Sequence, residues 1–277
     1  MMMAPVVETK TIELPTSGNK AIIVSINRPT KSNCFNTDVV QALAKTFASI
    51  ADSHDPGSSD LAAVIFTGNG RAFCAGADLS NPPNPLIQSS DLPECLAQNP
   101  VHHMSRISCP IIGAMHGHVI TGGFELALAC DILIGDATTK FRDTHVKFGL
   151  APCWGLSQKL SKRVGPGRAK LISYSARPVE AELAYQWGLL DELVESGEDL
   201  NRAIEIADAI GNQDLKMVRR YKKALEEGGM MNLGKGLQRE RELGIAHYVE
   251  VMSDGSTFES AKDYIVDDKR PRLQSKL

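Results

Sequence analysis

Apolar residues in the first two thirds of the chain fall in short blocks separated by loops of small and polar residues. Four blocks are apolar enough to predict buried strands: 21–26, 63–67, 111–114 and 132–135. The first block follows the turn residues Ser17-Gly18-Asn19 and an alternating stretch at Thr11 and Glu13. This order of elements predicts a hairpin at the start of the fold.

Other segments carry apolar residues at helical spacing. After Thr37, the pattern predicts a helix with one buried face, formed by Val39, Val40, Leu43, Phe47 and Ile50. Beyond about residue 199 the same spacing continues with charges in between. It predicts four more helices: 200–210, 215–227, 233–252 and 258–266.

The chain is organised around residues 109–160. There a strand and a small-residue loop at 116–121 lead to Gly122, which opens an amphipathic helix with Glu125 in its first turn. A helix N-terminus has unpaired N–H groups and a partial positive charge, so the Gly122 N–H can approach a ligand oxygen closely. This is half of an oxyanion hole, and Glu125 is placed to move a proton beside it. A plain turn, with a glutamate that complements the helix dipole, is the structural alternative.

A second small-residue loop lies upstream, at residues 70–79, directly after the strand predicted at 63–67. Small residues let a backbone approach a ligand, so two strand-and-loop units predict two converging N–H groups. A polar loop with Asp143 and His145 follows the strand at 132–135.

Together these motifs resemble the enoyl-CoA hydratase/isomerase (crotonase) superfamily. The resemblance covers nearly the whole chain and rests on residues 26–29 with Asn33, 71–79, 122–131, Ala181 and 188–189. It implies an α/β fold, a ClpP-like spiral of ββα units, for residues 1–198. It also implies that residues 199–277 form a C-terminal helical region that builds a homotrimer, often paired into a hexamer. Helices that fold on their own core in a monomer are the alternative.

The resemblance further implies the site residues. The backbone N–H groups of Ala77 and Gly122 form an oxyanion hole for an acyl-CoA thioester, and Glu125 sits where the hydratases keep one of two catalytic glutamates. The substrate-binding motif around Ala77 includes three more residues: Ala75, Asp78 and Leu79.

Two segments outside this motif are expected to contact the substrate. By resemblance, the loop that carries Lys31 helps to hold CoA, and a solvated surface lysine is the alternative. The polar, proline-rich segment between Asp78 and Pro110 is expected to wall the acyl pocket and set chain-length preference.

The sequence departs from the family at the second catalytic glutamate. Counting back from Gly149 and Pro152 puts His145 at that position, with Asp143 two residues earlier. Histidine is a competent acid or base near neutral pH, and Asp143 can orient it or substitute for it. A loop histidine that only hydrogen-bonds its neighbours is the alternative.

The resulting hypothesis is an enzyme, a hydro-lyase that adds water to a 2-enoyl-CoA as in fatty-acid β-oxidation. Glu125 activates the water and His145 handles the second proton. Enolate stabilisation and proton transfer suffice, so no metal or redox cofactor is expected and CoA is part of the substrate. An isomerase, a hydratase of a branched or hydroxylated acyl-CoA, and a non-catalytic acyl-CoA-binding protein remain alternatives.

Composition and the terminal residues narrow the range of binding partners and cellular locations. A net charge of -3 offers no basic surface for nucleic acid, and no apolar run is long enough to span a bilayer. Adjacent histidines at His102 and His103 point to different faces of a helix, so they make a poor metal pair.

The N-terminal residues lack a secretory or mitochondrial pattern. The final tripeptide Ser275-Lys276-Leu277 matches a signal read by the peroxisomal import receptor, so the peroxisomal matrix is expected.

Overall fold

The computed structural model describes residues 4–53, 60–81 and 96–254 of the 277-residue chain. Contacts divide the chain into two compact units, Met1–Arg219 and Arg220–Leu277. All the strands described below, and all the candidate site residues, belong to the first unit.

Strands β1 (Val7–Glu13) and β2 (Lys20–Ile26) form the predicted hairpin. They pair antiparallel, from Val7 opposite Ile26 to Glu13 opposite Lys20. Gly18, in the turn between them, has a φ of +67°, a left-handed conformation that glycine adopts without steric cost.

The hairpin is one edge of a six-stranded sheet. Its other strands are β3 (Leu61–Gly68), β4 (Ile111–Met115), β6 (Ile132–Asp136) and β9 (Glu192–Val194). The strand order is β1-β2-β3-β4-β6-β9, and every neighbouring pair after the hairpin is parallel. β3 is buried at every residue, as a central strand covered on both faces should be. The blocks at 63–67, 111–114 and 132–135 thus lie in this sheet as predicted.

Helices account for most of the remaining described residues. A short 3-10 helix spans Pro29–Lys31. The α-helices of the first unit are α1 (Thr37–Ser53), α2 (Pro100–Met104), α3 (Gly122–Ala127), α4 (His145–Phe148), α5 (Leu156–Val164), α6 (Pro166–Ser175), α7 (Ala181–Gln186) and α8 (Asp199–Gly211). Helix α9 (Leu215–Gly229) crosses from the first unit into the second, and α10 (Leu233–Asp254) follows it.

Alternate side chains of β3 enter two apolar layers. Val64 and Phe66 pack in a cluster that contains the five positions of α1 predicted to be buried, and Ala44 adds a sixth buried residue to that face. Ala63 and Ile65 pack in a second cluster with α8. The period-two alternation of a strand therefore places one helix layer on each face of the sheet. The α/β class predicted from the sequence is confirmed.

A smaller, three-stranded sheet contains the residues that directly precede Thr121 and Asp143. It consists of β5 (His118–Ile120), β7 (Lys140–Arg142) and β8 (Val179–Glu180), with β5–β7 parallel and β7–β8 antiparallel. The loop predicted at 116–121 therefore contains a strand, and His145 begins helix α4 instead of lying in a plain loop. Elements of three or four residues are too short to show a hydrophobic period.

The C-terminal helices follow the predicted spacing. The segments predicted at 200–210, 215–227 and 233–252 correspond to α8, α9 and α10, while 258–266 lies outside the described residues. The sequence-based division at residue 198 assigns α8 to the C-terminal region, although α8 packs on β3 and β4 within the first unit. The division itself stays a prediction.

None of the helices described here is both long and apolar enough to cross a membrane. Most of the segment expected to wall the acyl pocket, residues 82–95, and the tripeptide Ser275-Lys276-Leu277 lie outside the described ranges.

Candidate active site

Ala77 lies beside Phe35 in a short parallel bridge. The Phe35 N–H donates to the Gly76 carbonyl, and the Asp78 N–H donates to the Phe35 carbonyl, both at 2.9 Å. Successive backbone groups of an extended chain point in opposite directions, so the Ala77 N–H points away from Phe35. Within the described part of the chain, no group accepts a hydrogen bond from it. Ala77 thus presents a free backbone donor.

Arg28 contacts both segments of this bridge, next to Phe35 on one side and next to Ala77 on the other. Its Nη1 donates to the Cys34 carbonyl, and its Nη2 lies 2.9 Å from Asp78 Oδ2. Hydrogen bonds from Ser80 and Arg28 lower the pKa of Asp78 to about 2, so this carboxylate is ionised at neutral pH. Asp78 therefore fixes the backbone next to Ala77.

Gly122 is the first residue of α3, where the backbone N–H has no partner within the helix. A Cβ atom at Gly122 would lie 2.4 Å from Phe35 Cζ, and one at Gly123 would lie 2.4 Å from the Cys74 carbonyl oxygen. A side chain at either position would force a neighbour to shift, because real Cβ atoms essentially never approach other atoms this closely. The glycine pair therefore allows the helix start to pack against Phe35 and Cys74.

The two small-residue loops run side by side. The Cys74 N–H donates to the His118 carbonyl at 2.9 Å, and the Ile120 N–H donates to the Cys74 carbonyl at 3.0 Å. Gly76 has a φ of +93°, and a Cβ there would lie 2.9 Å from the Ile120 carbonyl oxygen. These contacts bring the loop of Ala77 to the start of α3, as the sequence pattern predicts. An oxyanion hole formed by the two N–H groups stays a prediction.

Glu125 lies in the first turn of α3 and is only 2% exposed. Its Oε1 accepts hydrogen bonds from the Trp154 N–H at 2.8 Å and the Leu156 N–H at 3.3 Å. Burial raises the pKa of Glu125 above its ordinary value and outweighs these hydrogen bonds and the charge of His145, which lower it. Oε1 carries both of these hydrogen bonds, so the other oxygen, Oε2, is available to accept or donate a proton.

Asp143 holds His145 in one orientation. His145 Nδ1 lies 2.8 Å from Asp143 Oδ1, which also accepts the His145 N–H at 3.0 Å. Burial alone would raise the pKa of Asp143, but hydrogen bonds from His145 and Ser173 hold it below its ordinary value. An ionised Asp143 accepts from Nδ1–H, and Nε2 is then the nitrogen available for proton transfer.

Glu125 Oε2 and His145 Nε2 face each other across 3.8 Å, and both side chains are buried. This distance is longer than a hydrogen bond, but the two groups are electrostatically coupled in a poorly solvated site. The pair can hold one proton on either member. One group can therefore accept a proton from a reactant while the other donates one.

The remaining residues predicted to bind the substrate, Ala75, Lys31 and Leu79, differ in their hydrogen bonding and exposure. The Ala75 N–H donates to the Ser32 carbonyl at 3.0 Å, which joins the predicted CoA loop to the Ala77 motif. Lys31 is exposed at the end of the 3-10 helix, and Leu79 is 69% exposed. Their contacts with a substrate stay predictions.

The sequence analysis missed the roles of Phe35 and Thr121. Phe35 pairs with Ala77, fills the space above Gly122 and packs its ring on Trp154 with centroids 5.4 Å apart. Thr121 precedes α3 with a φ of +51° and joins its hydroxyl group to that of Thr144. The only sequence signal for Phe35 was an apolar residue after Asn33, and the pattern around Thr121 carried none.

The described residues hold no cluster of three histidine, cysteine, aspartate or glutamate side chains with the spacing of a metal site.

The sequence model of the family described as enoyl-CoA hydratase/isomerase matches residues 17–265. The chain therefore belongs to the enoyl-CoA hydratase/isomerase family, as predicted from its motifs. It is 37% identical over 275 residues to "Probable enoyl-CoA hydratase 1, peroxisomal" of Arabidopsis thaliana, a match that covers 99% of this chain and 100% of the relative.

Two further relatives support the same placement. The chain is 31% identical to the short-chain-enoyl-CoA hydratase of Clostridium acetobutylicum, over 80% of this chain and 84% of the relative. The crystal structure of an enoyl-CoA hydratase from Bacillus anthracis matches with a TM-score of 0.77 at 26% identity, over 94% of this chain and 96% of that one. The predicted crotonase fold is thereby confirmed.

Proposed function

We propose that this chain is an enoyl-CoA hydratase that adds water across the double bond of a 2-enoyl-CoA, as in fatty-acid β-oxidation. The observation that carries the proposal is the buried Glu125–His145 pair, whose facing atoms are 3.8 Å apart, next to the free N–H at the start of α3. The hydratase names of the relatives from Arabidopsis thaliana and Clostridium acetobutylicum support it.

The proposed reaction begins with polarisation of the thioester. The Ala77 and Gly122 N–H groups donate to the carbonyl oxygen, which gains negative charge as C3 is attacked. Glu125 takes a proton from water, and the remaining hydroxyl forms the new C3–O bond as the C2–C3 π electrons move toward the carbonyl. The His145 imidazolium then gives its Nε2 proton to C2.

Each proton in this scheme is accounted for. The cycle starts with ionised Glu125 and protonated His145, and it ends with protonated Glu125 and neutral His145. Transfer of the proton from Glu125 to His145 restores the starting state, and Asp143 stabilises the imidazolium through its 2.8 Å contact with Nδ1.

The first test is loss of the conjugated enoyl-thioester absorbance when the purified full chain is mixed with crotonyl-CoA or 2-decenoyl-CoA. Glu125→Gln is expected to lower kcat by about 10²- to 10⁴-fold, the range typical of a lost general base, and to leave CoA binding intact. Glu182→Gln is a matched control, because Glu182 is an exposed acidic residue in the first turn of another short helix, α7. If both variants lose activity equally, Glu125 acts only as a helix-dipole partner.

Other outcomes would replace the proposal. Conversion of a 3-enoyl-CoA to the conjugated isomer, without hydration, would identify an isomerase. Activity only with branched or hydroxylated enoyl-CoA would indicate a specialised hydratase. Acyl-CoA binding without any turnover would indicate a non-catalytic binding protein.

We also propose that CoA, as part of the substrate, is the only cofactor-like group the reaction needs. Addition of water transfers protons and forms a C–O bond without net oxidation of the substrate, so acid–base residues suffice. Activity that survives exhaustive dialysis against a chelator supports this, and activity restored only by an added metal would contradict it.

A homotrimer or hexamer is the proposed assembly. Large apolar side chains that are exposed in the single chain, such as Leu171 and Tyr174 on α6, support an assembly that covers them. Light scattering during gel filtration should give three or six times the 30.0 kDa of one chain. A mass of one chain would contradict it.

The peroxisomal matrix is the proposed location, reached through the import receptor that would read Ser275-Lys276-Leu277. The Arabidopsis thaliana relative, which is named as peroxisomal, supports this. A fluorescent protein fused to the N-terminus should accumulate in peroxisomes, and deletion of the tripeptide should disperse it. Unchanged peroxisomal import after the deletion would rule out this tripeptide as the signal.

A further inference from the structure

Thr121 has a backbone conformation that its side chain disfavours. Its φ is +51° and its ψ is −107°, close to the first central position of a type II′ turn. Glycine dominates that region, and a β-branched residue there is a genuine outlier. A strained residue of this kind persists where the surrounding structure demands it, and such residues cluster at functional sites.

The surroundings of Thr121 show what its side chain contributes. The Thr121 N–H donates to the Arg142 carbonyl at 2.8 Å, a bond that any residue other than proline could make. The hydroxyl group does more: it accepts the Thr144 N–H at 3.0 Å and pairs with the Thr144 hydroxyl. Glycine would satisfy the backbone but would lose both side-chain contacts.

These contacts join the two segments that carry the facing acid and base. Thr121 precedes Gly122, and its carbonyl accepts the Glu125 N–H at 2.9 Å in the first turn of α3. Thr144, the other half of the hydroxyl pair, lies directly before His145. The Thr121–Thr144 contact is therefore a hydrogen-bonded side-chain link between the residue before the helix of Glu125 and the residue before His145.

We propose that Thr121 is a positioning residue that sets the separation of Glu125 and His145 through its hydroxyl contact with Thr144; its role in hydration rests on the proposed function. The backbone strain at Thr121 is retained because glycine, which fits the backbone better, lacks the hydroxyl group.

The test compares Thr121→Gly, which suits the backbone and removes the hydroxyl, with Thr121→Ser, which keeps it. We expect Thr121→Gly to lower kcat about 10- to 100-fold with little change in KM, since a misplaced acid or base slows chemistry more than binding. Thr121→Ser should recover most of the lost kcat. Thr144→Val, which breaks only the hydroxyl pair, should also lower kcat. The Thr121→Gly/Thr144→Val double variant should be no slower than Thr121→Gly, because Thr121→Gly has already removed that pair.

Ala176→Gly is the matched control, because Ala176 is a buried non-glycine residue with a φ of +49° outside the site. Its ψ of +31° places it in the left-handed helical region, so the change to glycine removes a side chain at a positive φ with milder strain than at Thr121 and should leave kcat unchanged. Wild-type kcat in Thr121→Gly would overturn the proposal. Equal loss in the serine and glycine variants, or equal loss in Ala176→Gly, would also overturn it.

A spectroscopic measurement separates this proposal from the proposed function. Imidazole ¹⁵N shifts at a fixed pH, with His145 assigned from a His145→Gln sample, should move in Thr121→Gly and stay in place in Ala176→Gly. If the wild type fails to hydrate enoyl-CoA but the His145 shifts move, the proposed function fails and the positioning role stands. Unmoved His145 shifts would overturn the positioning role whatever the reaction.

Discussion

Two histidine–aspartate pairs in the described part of the chain have nearly the same geometry and different surroundings. His145 Nδ1 lies 2.8 Å from Asp143 Oδ1, and His116 Nδ1 lies 2.9 Å from Asp199 Oδ2. In each pair the carboxylate is buried and fixes one ring nitrogen. The difference between them lies at the other nitrogen, Nε2.

At His145, Nε2 faces the carboxylate of Glu125 beside the start of α3. At His116, Nε2 is buried beside the Gly68 backbone, without a partner in good hydrogen-bond geometry within the described residues. His116 follows strand β4, and Asp199 opens helix α8, so this pair joins a strand to the helix that packs on it. Under the proposed function the first pair transfers protons, and we expect the second to anchor the helix.

A histidine–aspartate contact therefore does not by itself identify a catalytic histidine. The aspartate selects the tautomer in both places. The chemistry depends on whether a second titratable group and space for a reactant lie at the free nitrogen.

The largest expected effect is the difference in kcat between a variant at His145 and the same variant at His116. His145→Gln removes the proposed donor to C2 and should lower kcat for crotonyl-CoA hydration by about 10²- to 10⁴-fold. His116→Gln, measured in the same steady-state assay at 25 °C, should stay within about 3-fold of wild type, as expected for a change away from the reacting atoms. A large and equal loss in both variants would contradict a proton-transfer role that belongs to His145 and not to His116.

A smaller effect is expected from the aspartate partners. Asp143→Asn keeps an acceptor for Nδ1–H but removes the charge that stabilises the imidazolium, a hydrogen bond to a charged group worth about 1.5–3 kcal/mol, or about 10- to 100-fold in kcat. Asp199→Asn is the matched change in the anchoring pair, and its kcat should stay close to that of the wild type. Wild-type kcat in Asp143→Asn would show that His145 needs no carboxylate partner.

Local patterns explain how much of this site could be predicted from the sequence. Gly122 and Glu125 stand three positions apart in a helix-start motif, and the spacing from Gly149 and Pro152 locates His145. The buried face of α1 followed from helical periodicity, because a long helix repeats the pattern enough to be recognised. The four strand blocks followed from their runs of apolar residues.

What could not be predicted depends on contacts between distant segments or on backbone angles. Phe35 looked like an ordinary core residue, and its place between Ala77 and Gly122 exists only in the folded chain. Thr121 gives no sequence sign of its positive φ, because threonine rarely adopts one. His116 and Asp199 are 83 positions apart, so no local motif links them.

The anchoring pair should matter for stability where it does not matter for activity. His116→Gln removes a buried hydrogen bond to a charged group and leaves Asp199 without that partner, so the free energy of unfolding should fall by about 1–3 kcal/mol. Urea denaturation followed by circular dichroism measures this difference, with His102→Gln as a control at a less buried histidine. Equal stability of wild type and His116→Gln would show that the pair does not anchor α8.

The smallest expected effect is the pH dependence of that stability. Burial lowers the pKa of His116, but the hydrogen bond to Asp199 and the charges of Asp199 and Asp136 outweigh it, so the pKa of His116 in the folded chain is raised above 6.5. A raised folded-state pKa adds stability that is fully present below the pKa of the unfolded chain and is lost as pH rises through the folded-state value. The difference in unfolding free energy between wild type and His116→Gln should therefore be largest in mildly acidic solution and shrink as the pH is raised past neutrality. Denaturation curves at a series of pH values test this, and a difference that stays constant or grows with pH would mean that His116 is neutral in the folded chain and holds Asp199 by an uncharged hydrogen bond.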